Sequence, residues 1–580
     1  MPGSSIQSNE TPSNETPSQA CRTQRHVWLD RFVMVAVLLA SSLAIAKNNA
    51  DADLWGHVTF GMNVIADGQL PSTASHTFTA EGYRWINHEN LAEISLAFIT
   101  GLGGGTGLLL FKCVLGLLVL GLILDRARHQ AGVMLAGLLT IVVAINLTAT
   151  WTLRPQLFSY ACFAVMIALL DTAFAKFQDQ GLIRAGFLWA IVPLMCLWTN
   201  SHGGFVAGCA VFGLYMVCRA TQLILKKPNQ SLQLAAAGRL AFITLCVVVA
   251  TLLNPYGPRL HQWMIASLGQ PRPEITEWVA LSASNTLFWP FVSLAILAAF
   301  SYSFSRQRRD VTHLIVIAAV AWQSVEHVRH VPFLAILVGY WLPEHLRSAC
   351  RRVRDGFGLA ESRDDDTVPG LALIGGAAMC LVLTAVLWQR CREVYVDKSE
   401  FPVDAISFMA EHNLNGRLVV TYNWAQYALA ALGPETSVAF DGRFRTCYPQ
   451  DVVDMHFDFI LGDAPGMRWR GPDSLPFDGT RALEHGSPDL ALIDRSQEHG
   501  VLLISQHPDW ILLYEDGMAQ VWGRKSKFDT PTHPDYMAAD QRRVNLPLPE
   551  GRVPWPAFPA HRSGQRHAAT NIHGFPRSST

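Results

Sequence analysis

Between residues 31 and 388 the chain repeats one pattern, in which a long apolar run is broken by a short polar turn and then resumes. The runs fall at about 31–46, 105–124, 131–150, 155–175, 183–199, 204–225, 237–253, 286–304, 311–325, 331–346 and 370–388. Each approaches the roughly 20 apolar residues that cross a hydrocarbon layer as a helix, so the pattern predicts an all-α polytopic membrane bundle of about eleven transmembrane helices. The 311–346 pair is the shortest and is interrupted by "EHVRH", where a re-entrant hairpin is the alternative. From 395 to 525 the pattern changes. "VDAISFMAEHNLNG" predicts an amphipathic helix closed by Gly416, "RLVVTY" a strand, "WAQYALAALG" a helix and "SVAF" a strand. "WILLYEDGMAQVWGR" predicts a hairpin turning at Asp516 and Gly517. That region reads as a C-terminal soluble α/β domain.

Composition agrees with a membrane protein. Half of the 580 residues are hydrophobic and 16% are charged, against roughly a quarter charged in soluble chains. The formal net charge is −1, and no basic cluster tracks a phosphate backbone, so nucleic acid is not an expected partner. Of eleven cysteines, most lie in apolar runs as small hydrophobes, and no CxxC pair suggests thiolate metal binding. Cys391 and Cys447 fall in the polar region, where a disulfide between them is an open alternative.

Charge placement sets the expected orientation. Arg126, Arg128, Lys176, Arg184, Arg219, Lys226, Lys227, Arg239, Arg306, Arg308, Arg309, Arg347, Arg351, Arg352 and Arg354 all fall in even-numbered connections, which the positive-inside rule makes cytoplasmic. The expected organisation is therefore a disordered cytoplasmic leader (1–28), a membrane domain (29–390) with a first outward loop (47–104), an extracytoplasmic α/β domain (395–525) and a disordered tail (526–580). The first apolar run looks like a signal-peptide core, but its many successors make it an uncleaved first span. The expected location is the cytoplasmic (inner) membrane, multi-pass.

The outward connections carry compact polar insertions: "NNADADLWGHV", "WTLRPQLFS", "LWTNSHGGF", "LLNPYGPRLHQW" and "SVEHVRHVPF". Emerging on one face under the soluble domain, they suggest a shared site. Asp51 and Asp53 diverge at i and i+2, so one can face a reacting group while the other meets a cation or caps the helix after it, with Trp55 as an interfacial belt residue. Arg154 can clamp a phosphate or snorkel to headgroups. Asn200 and His202 precede two glycines, Asn254 suits a turn, and Glu326, His327, Arg329 and His330 put charges between two apolar half-spans. His57, His88, Glu89 and Glu93 add titratable groups in the first loop.

Taken in order, the "DADLWGH" opening, "RPQ", "NSHGG" and "NPYG" turns and a later "DGR" (Asp441, Gly442, Arg443) resemble the GT-C superfamily of membrane glycosyltransferases, over roughly residues 30–525. The likeness is to a bacterial branch with a C-terminal extracytoplasmic domain. It implies inverting transfer of a sugar from a polyprenyl-phosphate donor to a lipid, glycan or protein acceptor. Asp53, or else Asp51, would be the general base, and Arg154, Arg329, His330 and His202 would bind the donor phosphate. Where such enzymes use a divalent cation, Mg or Mn, the resemblance assigns it to Asp51, Asp53 and Glu326; other members need none, so the cofactor stays open. Gly56 departs from the expected doubled aromatic, which would loosen the donor pocket, and the absence of a "WWD" motif argues against an asparagine acceptor. The alternatives are a transporter or flippase of lipid-linked saccharide, and a non-catalytic glycan-binding envelope protein.

Overall fold

The computed structural model describes residues 17–225, 230–358, 369–464 and 466–560. Lys226 and Lys227, most of the leader and the tail beyond 560 lie outside the described residues. Among them, six helices are long and apolar enough to cross a membrane: His26–Ile45, Asn90–Ala131, Gln156–Gln180, Phe205–Ile224, Gln230–Ala250 and Gly370–Arg390. Five shorter apolar helices, Val133–Leu147, Ala185–Thr199, Phe288–Phe304, Val311–Glu326 and Val328–Trp341, correspond to the remaining expected segments. The protein is an integral membrane bundle carrying a C-terminal domain with a small mixed sheet.

Local sequence explains the departures. The helix Asn90–Ala131 runs through the loop expected up to 104 and kinks at Gly104, whose φ of 55° and ψ of −143° a residue with a Cβ would resist. The first helix begins at Pro17, inside the expected leader. Val311–Glu326 and Val331–Trp341 are joined by the 3₁₀ turn Val328–His330. That turn is anchored to the loop at Trp278, where His327 Nδ1 meets the Trp278 carbonyl at 2.8 Å. The far ends meet again where His313 stacks on Trp341 at 4.1 Å. The pair therefore packs as two antiparallel helices.

The soluble domain holds a five-stranded sheet. Its strands are β2 (Gly416–Val420), β3 (Thr436–Val438), β4 (Leu490–Asp494), β5 (Trp510–Glu515) and β6 (Ala519–Arg524), after a short β1 (Tyr395–Asp397) outside it. The order is β3-β2-β4-β6-β5, parallel across β3, β2 and β4, with an antiparallel β5–β6 hairpin. The predicted helices appear as Val403–Glu411 and Ala425–Leu432. Asn413 rather than Gly416 makes the left-handed turn after the first, at φ 52°, and Gly416 opens β2.

Residues 526–560, expected to be disordered, are ordered. Phe528 and Met537 are buried, and β7 (Arg552–Pro554) pairs with β1. The Pro and Arg content hid these apolar anchors. Cys391 faces Cys113, with the sulfurs 3.5 Å apart, so the geometry pairs it away from Cys447, which is buried and free.

One hydrophobic core unites the first loop with the soluble domain, and a second fills the bundle. Trp55, expected in the interfacial belt, is 1% exposed in the first core. It packs on Phe401 and Tyr427, and its Nε1 donates to the Pro556 carbonyl at 2.9 Å. Burying an aromatic of this size contributes about 2–3 kcal/mol, more than a belt position would. The dock is completed by Arg443. It lies over Phe60 and Trp85, donates to the Ser75 carbonyl, and forms a buried ion pair with Asp441 at 2.7 Å.

Candidate functional site

A cavity of about 840 Å³ opens between the first loop, the soluble domain and the bundle. Its deeper wall is apolar and comes from four bundle helices through Phe163, Ala207, Leu214, Val320 and Phe333. Its upper wall is charged and is divided into three groups.

The first group starts at the helix Leu54–Asp67. Asp53 occupies its N-cap position yet makes no side-chain cap bond, so capping does not account for its carboxylate. Asp51 accepts from the Asp53 amide at 3.1 Å and is ion-paired through Oδ1 to Arg154 Nε. Arg154 also reaches Asp53 at 3.3 Å and Glu277 at 3.2 Å. Asp53 lines the cavity; Asp51 stands behind Arg154. Burial raises the Asp53 carboxyl above the usual carboxylate range, Arg154 opposing and Asp51 reinforcing.

The "DGR" turn is pressed against this group. A methyl on Gly442 would fall inside contact distance of Asp53 Oδ1 and Gln426 Nε2. A methyl on Gly56 would meet the Gln426 amide. The missing second aromatic therefore leaves no loosened pocket, because Gln426 fills the space.

The second group gathers His57, Glu89 and Glu93. His57 Nδ1 lies 3.2 Å from Glu93 Oε1, and Asn87 Nδ2 donates to Glu93 Oε2 at 2.5 Å. Asn87 Oδ1 accepts from the Glu89 amide, while the Asn87 amide donates to Tyr256 of the "NPYG" turn. Burial alone would lower His57, but Glu93, Glu89 and Asp53 outweigh it and raise it to about 9. Burial pushes Glu89 up to about 7, and pushes His88 down to about 4 with Arg272 and Arg329 adding repulsion. His202 is also lowered by burial. Its Nδ1 accepts from the Gly204 amide, which leaves the hydrogen on Nε2, 3.6 Å from Glu89.

One ligand atom each from His57, Glu89 and Glu93 come within 4.8 Å of one another, and an imidazole with two carboxylates suits a divalent cation. The cation set expected from Asp51, Asp53 and Glu326 is not assembled. Arg154 holds the aspartates, and Glu326 is exposed and lines no part of the cavity.

The third group is basic. Arg329 and His330 both line the cavity, and the Arg329 guanidinium lies 4.4 Å from the Trp278 ring centroid. Arg272 lies 4.5 Å from the same centroid, and Arg445 lines the same wall. Sequence reasoning missed Arg272 and Arg445. Arg272 sits in "QPRPEITEW" without a motif, and Arg445 is two residues past the noted "DGR". Two candidates serve the backbone instead. Asn200 donates to the Cys196 and Leu253 carbonyls, and Asn254 bonds within its own turn.

No protein-family model and no curated protein matches this chain. Solved structures do. An oligosaccharyltransferase from Archaeoglobus fulgidus, tethered to an acceptor peptide containing the NVT sequon, superposes with a TM-score of 0.52 at 10% identity, over 81% of this chain and 69% of that one. ArnT from Cupriavidus metallidurans, bound to undecaprenyl phosphate, gives 0.51 at 13% identity, over 88% and 99%. The architecture, the loop-to-domain core and these superpositions agree: the chain shares its fold with this oligosaccharyltransferase and with ArnT.

Proposed function

We propose that the protein is a membrane glycosyltransferase that moves a sugar from a polyprenyl-phosphate-linked donor to an acceptor hydroxyl at the face carrying the soluble domain. The observation that carries this reading is the amphipathic cavity: apolar helices line one end, and guanidiniums without an ion pair among the described residues and the half-buried Asp53 carboxylate line the other. An isoprenoid chain fits the first and a sugar phosphate the second. ArnT, bound to undecaprenyl phosphate, has the same fold at low identity. We take that face to be extracytoplasmic, with the bundle in the cytoplasmic membrane, from the arginine-rich connections opposite it.

In this reading Asp53 takes the acceptor proton, and its raised carboxyl makes it a better base than an exposed aspartate. The acceptor oxygen attacks the anomeric carbon with inversion, and the electron pair of the breaking bond leaves with the lipid phosphate. Arg329 and the hydrogen on His202 Nε2 face the charge that develops there. Arg154 is a positioning residue that orients both aspartates. A divalent cation, where bound, would be held by His57, Glu89 and Glu93 and would supply electrostatic stabilisation. The transporter alternative is less well supported, because Asp171 is ion-paired to Arg126 at 2.9 Å and Lys112 donates to the Lys47 carbonyl, so neither offers a free site in the bundle.

The test is transfer from sugar-loaded polyprenyl-phosphate lipids by the purified protein. Asp53→Asn should lower the rate by about 10²–10⁴-fold, with unfolding in detergent unchanged. A variant as active as the wild type would remove the base assignment, and no transfer from any donor by the wild type would favour a glycan-binding role.

A further inference from the structure

Arg272, Arg329 and Arg445 converge on one wall of the cavity, each from a different part of the chain. Arg272 comes from the connection after the helix Pro258–Leu268, Arg329 from the turn between two bundle helices, and Arg445 from the soluble domain. Arg272 and Arg329 share the Trp278 ring. Arg445 donates from Nη1 to the carbonyl of Pro271, the residue before Arg272.

None of the three forms an ion pair among the described residues, whereas Arg154 in the same cavity contacts three carboxylates. The buried Arg445 Nη2 and Arg272 Nε have no hydrogen-bond partner. Glu274 offsets part of the charge of Arg272 and Arg445, and Asp454 part of that of Arg445, but neither carboxylate is in ion-pair contact with them; Glu274 Oε1 accepts from the Trp469 amide and its buried Oε2 has no partner. The crowding is felt by Arg272, which burial, Arg445 and Arg329 together lower to about 10.

Three guanidiniums held together in a partly desolvated wall repel one another unless an anion completes them. A sugar linked to a lipid through one phosphate is a phosphodiester with a single negative charge. A diphosphate linkage carries two, with more acceptor oxygens for planar guanidinium forks.

We propose that Arg272, Arg329 and Arg445 form a diphosphate subsite, so that the donor is a polyprenyl diphosphate sugar. The inference rests on the donor reading above and narrows its class. In the transfer, the acceptor O–H gives its proton to Asp53 and its oxygen forms the new bond to the anomeric carbon. The anomeric carbon–phosphate oxygen bond breaks, and its electron pair leaves on the polyprenyl diphosphate. The extra charge gained by that leaving group falls among the three guanidiniums.

The experiment measures binding of the two product lipids, undecaprenyl phosphate and undecaprenyl diphosphate, to the full-length protein in nanodiscs. The wild type should bind the diphosphate about tenfold or more tightly than the monophosphate. Arg272→Gln and Arg445→Gln should each cut diphosphate affinity by about tenfold and leave monophosphate affinity nearly unchanged. Arg445→Lys keeps the charge and reports on the site if the glutamine variant fails to fold. Equal affinity of the wild type for the two lipids, or variants that weaken both alike, would overturn the diphosphate subsite and leave the donor reading standing. Binding of neither lipid would overturn both.

Discussion

Arg154 and Arg329 look alike in the sequence, each an arginine in a short polar turn between apolar runs, and each resembles a phosphate ligand. Their surroundings separate them. Arg154 is shared among Asp51, Asp53 and Glu277, so its charge is already spent on holding carboxylates. Arg329 stacks on Trp278 beside Arg272 and has no carboxylate in ion-pair contact among the described residues. Compensation is therefore the better guide to role: a neutralised cation positions, and an uncompensated one awaits a ligand.

The sharpest way to break this comparison is to remove each charge in turn. Arg329→Gln should lower transfer by about 10²–10³-fold, as expected for losing a donor that faces developing charge, while the unfolding midpoint in detergent stays put. Arg154→Gln leaves three carboxylates facing one another. The site is only partly screened, with Arg154 26% exposed, so the cost lies between a surface and a buried pair, about 1–3 kcal/mol of stability by thermal unfolding. If Arg329→Gln destabilised the protein and Arg154→Gln did not, the assignment would be reversed.

A smaller steric change probes the acidic side alone. Gly442→Ala places a methyl against Asp53 and Gln426, at about 1–3 kcal/mol if nothing yields. The expected result is loss of transfer together with weakened docking of the soluble domain, read as faster proteolysis between the two. Wild-type activity would mean that the "DGR" turn does not hold Asp53.

The histidine–carboxylate group gives the mildest test. His57 is raised to about 9 and Glu89 to about 7, and a cation must displace the proton from each. Mn²⁺ affinity should therefore rise with pH, steeply below about 7 where both are protonated, less steeply up to about 9, and level beyond. Calorimetric titration in buffers of different ionisation enthalpy would count the released protons. A flat profile would exclude these two residues as ligands.

Much of this molecule was legible before folding. The apolar runs fixed the bundle because the spacing of a bilayer leaves few options for the backbone. The soluble domain's helices and hairpin were plain from their periodicity, and Asp53, His57, Glu89, His202, Arg329 and His330 stood out as polar residues in or beside the turns between apolar runs. The strand Leu490–Asp494 passed unremarked, because a short apolar run carries no periodicity of its own. Arg445 was overlooked although it adjoins a recognised motif, since one more arginine in a polar segment looks like surface.

What the sequence determined, then, is which segments are apolar enough to enter a membrane and which polar turns interrupt them, for both depend on local hydrophobicity and chain length. Only the tertiary structure decided which charges are neutralised. Asp51 reaches Arg154 across 103 residues, and Arg445 reaches Pro271 across 174. Electrostatic roles are set by neighbours a few ångströms away in space, and pairs so distant along the chain leave no local pattern to read.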